Sequence, residues 1–297
     1  MAEQPADSAP IMLTVTRVFP VSPEVLFQAW LDPKSLGSWL FATPTGEMQK
    51  VTADPRVGGE FLVVEKRGDV LAEHFGQYVE LDPPRRLVFA FATNREAKPT
   101  RVTVEFTPVL GGCRLTLSHE MDPQWASFTD RARAGWTMIL ASLSRTFTRD
   151  RELILSRTFP APRELVYQVW TQPEHVAQWW GPNGFTTTSH AMEVRPGGVW
   201  RYRMHGPEGT DYPNKIEFVE VLPNVRLVYW HGDDGESRRA PFFVTTTFDD
   251  DQGQTKLTLH MVCESAAALA EIKPFGAVEG GELALQRLAD YLARQIS

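Results

Sequence analysis

Cysteine is scarce in this sequence, with only Cys113 and Cys263 among 297 residues. Each lies in an apolar, strand-like segment, and the two fall in different halves of the chain. Two cysteines this far apart in sequence do not indicate a disulfide framework or a Cys-based zinc site. We therefore expect two buried free thiols. The seven histidines show neither His-x-x-x-His nor His-Glu-x-x-His spacing, so no zinc site of the protease type is predicted.

Runs of basic residues and long apolar runs are also missing. The net charge of -7 argues against nucleic acid or an anionic membrane as the main partner. No apolar run approaches the roughly 20 residues that a membrane-spanning helix needs. The first residues, "MAEQPADSAP", lack the basic and apolar regions of a signal peptide. We expect a cytoplasmic protein that does not insert into membranes.

Motifs for nucleotides and for hydrolysis are absent as well. Gly58-Gly59 and Gly197-Gly198 lack the Gly-x-Gly-x-x-Gly spacing and are not followed by a P-loop lysine. No Gly-x-Ser-x-Gly motif marks a nucleophilic serine. The sequence thus predicts no cofactor and no metal ion.

What the sequence does contain is an internal duplication. The segment from Arg17 to Leu40 matches the segment from Arg157 to Trp180 at a constant offset of 140 residues, with eight of 24 positions identical. Unrelated segments would share about one. "RVGGEF" then matches "RPGGVW", and "RLVF" matches "RLVY". We predict two domains, residues 11–149 and 151–297.

Each copy has the same predicted order of elements. A strand ends at Phe-Pro, and two short helices follow, the first capped by Ser22 in the first copy. Six segments then alternate apolar and polar residues, which is typical of an antiparallel sheet with one buried face. A long helix closes the unit, and in the second copy Pro274 is predicted to kink or break it. The predicted fold class is α+β.

Three motifs of the second copy, "RTFPAP", "QPEHVAQWWGP" and "RPGG", resemble the AHSA family, named after the activator of heat-shock protein 90 ATPase homologue. That family belongs to the START-like or SRPBCC superfamily. The first copy matches more loosely, with Leu40 in place of the second tryptophan, Val57 in place of proline and no Gly-Pro stop. The resemblance implies two tandem helix-grip domains, each a curved antiparallel sheet wrapped around a long C-terminal helix.

The resemblance also implies a cavity between sheet and helix, which the superfamily uses for lipids, aromatic metabolites and polyketides. Tryptophans present in both copies, Trp30 with Trp170 and Trp39 with Trp179, are predicted to form the core. Trp180 has only Leu40 as its counterpart, so it is a candidate for a ligand wall or a partner surface.

Strand alternation suggests which polar side chains face inward. His119 follows Cys113, Leu115 and Leu117 in phase, His190 shares phase with Met192, and Glu217 shares phase with Val219 and Val221. Inward-facing His190 and Glu217 could orient a polar ligand or act as an acid and base; strand ends or bulges would instead turn them to solvent. The ligand-pocket candidates are Trp180, Trp200, Tyr202, His190, Met192, Glu217, Phe61, His119 and Trp136.

Three functions are compatible with this pattern. The leading hypothesis is the binding of a small hydrophobic or amphipathic molecule in the second domain, with the first domain as a further candidate. The alternative, suggested by the family name, is a co-chaperone-like module that interacts with a heat-shock protein 90 chaperone. The third is an enzyme of cyclase or hydrolase type that uses His119, or His190 with Glu217, and it is the least favoured.

Overall fold

The computed structural model of the chain describes residues 9–234, 241–273 and 277–296. The chain divides into two compact units, Met1–Phe147 and Thr148–Ser297. Pro274, where the sequence predicts a kink, lies outside the described residues.

The first unit contains seven strands and three α-helices among its described residues. They are β1 (Ile11–Phe19), α1 (Pro23–Gln28), α2 (Pro33–Trp39), β2 (Glu47–Ala53), β3 (Glu60–Arg67), β4 (Val70–Asp82), β5 (Arg86–Ala92), β6 (Thr100–Val109), β7 (Gly112–Met121) and α3 (Thr129–Thr148). A short 3-10 helix, Pro123–Phe128, precedes α3.

The second unit repeats the order, with a further helix before the last one. Its described elements are β8 (Glu152–Phe159), α4 (Arg163–Thr171), α5 (Pro173–Val176), β9 (Thr186–Met192), β10 (Val199–His205), β11 (Asp211–Leu222), β12 (Arg226–Asp233), β13 (Phe242–Asp251), β14 (Gln254–Val262), α6 (Ala266–Ile272) and α7 (Ala277–Ile296).

Each unit has one seven-stranded antiparallel sheet, ordered β1-β7-β6-β5-β4-β3-β2 in the first and β8-β14-β13-β12-β11-β10-β9 in the second. The opening strand therefore pairs with the last strand of the six-stranded run, because the two short helices carry the chain across to the far edge. This arrangement, with a long helix at the end of each unit, confirms the predicted α+β helix-grip fold.

Local sequence explains the helix starts of the first unit. Ser22 accepts a hydrogen bond from the Val25 amide, and Asp32 accepts bonds from the amides of Lys34 and Ser35. Proline occupies an early position in both helices, where its missing N–H costs nothing. In the second unit, α5 ends at Val176, and turns lead from there to Gly181 and Pro182.

In each unit an apolar core packs the sheet against the helices. The tryptophans present in both copies are buried, as predicted, with Trp30 packed edge-on against Trp39 and Trp170 tilted against Trp179. The inward alternation of β7 is also confirmed from Cys113 through His119 to Met121. Both cysteines are buried free thiols, and burial raises the pKa of Cys113 to about 12.

Candidate ligand-binding site

Trp180 lies in an aromatic wall of the second domain. Its ring centroid is 5.1 Å from that of Trp200 and 6.0 Å from that of Tyr202, and both of these side chains are buried. Trp200 and Tyr202 alternate along β10 and stack on each other at 4.2 Å. Trp180 itself is only partly buried. Neighbouring rings therefore hold the side chain, while the residue as a whole keeps part of its surface accessible.

Polar groups at the back of this wall are paired with each other. The Tyr202 hydroxyl lies 2.7 Å from Nε2 of His231, and the Trp200 indole donates to the Ser189 hydroxyl at 2.8 Å. Burial lowers the pKa of His231 to about 4 and raises the pKa of Tyr202. Both residues are therefore uncharged at neutral pH. The wall offers hydrogen-bonding groups without a formal charge.

Arg287 of α7 fixes the loop that carries Trp180. Its guanidinium donates to three carbonyls after the tryptophan, those of Gly181, Pro182 and Phe185, at 2.8–3.1 Å. A further bond reaches the carbonyl of Gln178 at 3.3 Å. Only a planar cation with several N–H groups satisfies so many acceptors at once. The long helix thereby ties down the segment on both sides of Trp180.

The first domain has a different polar centre, built on His119. The Trp136 indole donates to Nδ1 of His119 at 3.1 Å, and Nε2 lies 2.8 Å from the Thr100 hydroxyl. An indole N–H can only donate, so Nδ1 accepts and Nε2 carries the proton. Thr100 then accepts from His119 and donates to the Phe91 carbonyl at 3.2 Å.

Burial lowers the pKa of His119 to about 4. The imidazole is therefore neutral, and both of its nitrogens are used inside the domain. This arrangement does not favour His119 as a general base.

His190 does not face inward, so that prediction is wrong. The side chain is exposed, because β9 and β10 shift register between Arg201 and Tyr202. Arg201 pairs with Ala191 and Tyr202 with Ser189, which leaves His190 as the extra residue of a β-bulge. A bulge reverses the alternation that the sequence predicted.

Glu217 is on the outer face for the same kind of reason. β11 shifts register at Val219, between Phe218 and Glu220. The core phase before the bulge is Ile216 and Phe218, so Glu217 points away and pairs with Lys215 at 3.0 Å. His190 and Glu217 therefore do not form the predicted acid and base pair. The form of the enzyme hypothesis that uses this pair is not supported.

The other predicted residues are placed as follows. Met192 is partly buried against the second core, next to the bulge. Phe61 is buried in the first core, where its ring lies against Tyr78 and Phe89. Trp136 is buried on α3 and bonded to His119. Phe61 is thus a core residue, while Trp200 and Tyr202 join Trp180 in one wall.

The sequence did not predict two residues of the aromatic wall of the second domain, His231 and Phe242, whose ring centroids lie 4.7 Å apart. The alternation from Leu227 through Tyr229 carries the signal for His231, since it places that residue on the core face. No pattern in the sequence indicates the Arg287 contact, because it joins positions more than 100 residues apart through backbone carbonyls.

Comparison with known proteins identifies the family. The family described as "Activator of Hsp90 ATPase homolog 1-like protein" matches twice, at residues 20–148 and 160–293. The chain belongs to the AHSA1-like family. Because the family model matches both halves of the chain, it confirms the tandem AHSA-like arrangement predicted from the sequence motifs. A search of curated proteins found no match.

Solved structures similar to this AHSA1-like protein each align with about half of it. A crystal structure of a Mycobacterium smegmatis protein is 25% identical, covering 49% of this chain and 92% of that one, with a TM-score of 0.46. A Nitrosomonas europaea protein is 22% identical over 49% and 96%, with a TM-score of 0.45. An AHSA1-like protein from Aeromonas hydrophila is 22% identical over 46% and 90%, with a TM-score of 0.41.

The described residues of this AHSA1-like chain hold neither a metal-type cluster nor a membrane-spanning helix. They contain no group of three or more His, Cys, Asp or Glu side chains arranged to hold a metal ion. Across the same parts of the chain, no helix combines the length and the apolar character needed to span a membrane.

Proposed function

We propose that the second AHSA1-like domain binds a small hydrophobic or amphipathic molecule against the face of Trp180. The observation that carries this proposal is the wall itself, in which the partly exposed Trp180 lies against buried Trp200 and Tyr202. A fully buried tryptophan would serve packing alone, as Trp179 does. Small-molecule sites are lined mostly by hydrophobic and aromatic side chains, with a few convergent polar groups.

The polar groups of the wall favour an uncharged ligand. Tyr202 and His231 are neutral, and the cation–π contacts among the described residues do not involve Trp180. A ligand charge buried beside these neutral groups would be unpaired, and an unpaired buried charge is costly. A ring or chain with one hydroxyl, carbonyl or amide group fits better, since that group can bond to the Tyr202 and His231 pair.

Native mass spectrometry of the purified protein, before and after mild organic extraction, tests this proposal. We expect a bound mass that extraction removes and that Trp180→Ala reduces. Trp125→Ala is the matched control, because Trp125 is an exposed tryptophan of the first domain. Absence of any retained mass, together with no thermal shift across neutral aromatic and lipid compounds, would contradict the proposal.

The family description supplies a second candidate, stimulation of a heat-shock protein 90 ATPase. It rests on the family alone, since no contact described above favours a chaperone surface. Measuring the ATPase rate of such a chaperone with and without this protein separates the two. A stimulated rate with no retained small molecule would favour the interaction function.

A further inference from the structure

Phe41, at the end of the short helices of the first domain, bridges three elements of that domain with its ring. It stacks on His74 of β4 at 4.0 Å and on Phe91 of β5 at 5.2 Å, nearly parallel to both. Its centroid is also 5.9 Å from that of Trp136 on α3. Phe41 is buried, with 8% of its surface exposed. One side chain thus spans the space between the sheet and the long helix.

The backbone of Phe41 is held in an unusual conformation to place this ring. Its φ of 58° lies in the left-handed region, which is uncommon for a residue with a large side chain. Arg67 donates to the Phe41 carbonyl at 2.9 Å and also pairs with Glu65 at 2.6 Å. The buried Glu65 carboxylate accepts from the amide and hydroxyl of Thr43. An ion pair between the half-exposed Arg67 and the buried Glu65 therefore fixes the backbone at Phe41 and just after it.

The second domain lacks this ring at the matching position. The constant offset of the repeat aligns Phe41 with Gly181, which also has positive φ. The carbonyls of both residues accept a bond from an arginine, Arg67 in one domain and Arg287 in the other. The loops therefore correspond in structure as well as in sequence, although the arginines come from a strand and from a helix.

Trp180 covers the matching strand of the second domain but differs from Phe41 in its other contacts. Its ring centroid is 6.4 Å from that of His231, which occupies the position of Phe91. Besides the wall on β10 and β12, it packs on Trp170 and Trp179 of the short-helix segment. Its described ring contacts include no residue of α7, whose one aromatic side chain, Tyr291, lies against His175 instead. The bridge between sheet and long helix that Phe41 makes in the first domain has no aromatic counterpart among the described ring contacts of the second.

We propose that Phe41 is a built-in occupant of the first domain's binding site, taking the place between sheet and long helix where the second domain receives its ligand. The comparison with a ligand rests on the proposed function, but the closure of the first domain by Phe41 is independent of it. The first domain is thus closed by its own side chain, and removing the ring opens a site for a planar, uncharged aromatic molecule between His74, Phe91 and Trp136.

Phe41→Gly in the full chain tests this inference. Glycine removes the ring and suits the left-handed backbone, and it is the residue of the second domain at this position. The probe is N-phenyl-1-naphthylamine, a neutral aromatic fluorophore, whose stoichiometry is measured by titration. We expect one more equivalent to bind to Phe41→Gly than to the unchanged protein. Phe41→Asn, which also tolerates positive φ, should give the same gain.

Phe75→Ala is the matched control. It removes a phenyl ring from the residue next to His74, on the opposite face of the sheet, where Arg95 lies over it at 4.6 Å. This variant should add no equivalent. A second readout needs no ligand: burial lowers the pKa of His74 to about 4, and NMR titration should show it rising towards 6.5 when the covering ring is removed.

The outcomes separate this inference from the proposed function. Zero equivalents for the unchanged protein and one for Phe41→Gly would uphold the closed first domain while contradicting binding by the second. Equal stoichiometry in folded Phe41→Gly, Phe41→Asn and unchanged protein would overturn the inference. Unfolding of both Phe41 variants with probe present would also overturn it, because the probe would then have failed to replace the ring.

Discussion

Replacing His119 by methionine, the residue at the matching register of β14, should remove one cause of the first domain's loss of folding stability at low pH. At pH 7.5 the substitution leaves the buried Trp136 indole without its acceptor. An unsatisfied buried donor costs about 1–3 kcal/mol. We therefore expect the His119→Met variant to be less stable than the unchanged protein by this amount at neutral pH.

The effect should change as the pH falls. The pKa of His119 is 6.5 in a solvated chain and about 4 in the fold, because burial disfavours the charged ring. Between these values the unfolded chain binds the proton and the folded chain does not, so folding stability is lost as pH decreases. At pH 4.5 the unchanged protein should have lost about 2.5 kcal/mol through this group, given ~1.4 kcal/mol per pKa unit. The variant cannot lose this contribution.

Hydrogen-exchange mass spectrometry on the full chain measures both effects locally. Protection factors for peptides from β7 and α3, compared at pH 7.5 and 4.5, should show the stability difference between the two proteins shifting by about 2.5 kcal/mol in favour of the variant. Peptides of the second domain serve as the internal control and should not respond to the substitution. A difference that stays constant with pH would refute the assignment of His119 as a neutral, doubly bonded imidazole.

Further predictions concern the second domain. In α7, Gly280→Ala should stabilise the domain by about 0.5–1 kcal/mol, because the added Cβ meets nothing within 4 Å. Gly281→Ala should destabilise the domain, because its Cβ would lie 2.3 Å from Leu155. Thermal melts of the two variants measure the difference. Arg287→Met should cost about 2–3 kcal/mol and raise exchange in the loop after Trp180, with Arg287→Lys intermediate because an ammonium replaces fewer of the bonds.

Much of the fold could be predicted because it depends on local and periodic signals. The repeat at a constant offset defines two copies, and the alternation of β7 places His119 inside without error. Helix starts follow from capping residues and prolines, whose effects act within one turn. The difference between the copies at Trp180 predicts it as a ligand-wall residue, and its ring packs against Trp200 in the aromatic wall of the second domain.

The misplaced residues have a common cause in the backbone. In the sequence a period-2 pattern continues unchanged past a bulge. In the structure, the extra residue moves each following side chain to the opposite face of the sheet. His190 occupies such a bulge, and Val219 displaces the phase around Glu217. No composition signal marks either bulge, since neither position is glycine. The arginine contacts to loop carbonyls are equally invisible, because a carbonyl acceptor is present at every residue.

The two copies differ where a binding site would be selective and agree where a fold needs support. In the pairing registers, Phe91 matches His231 and His119 matches Met261. A sheet histidine that pairs with an aromatic side chain therefore lies on β7 in the first domain and on β12 in the second, with Trp136 as its partner in one domain and Tyr202 in the other. This difference in the position of a paired polar group supports the proposal that the copies diverged in what occupies them, a side chain of the protein in the first and a ligand in the second.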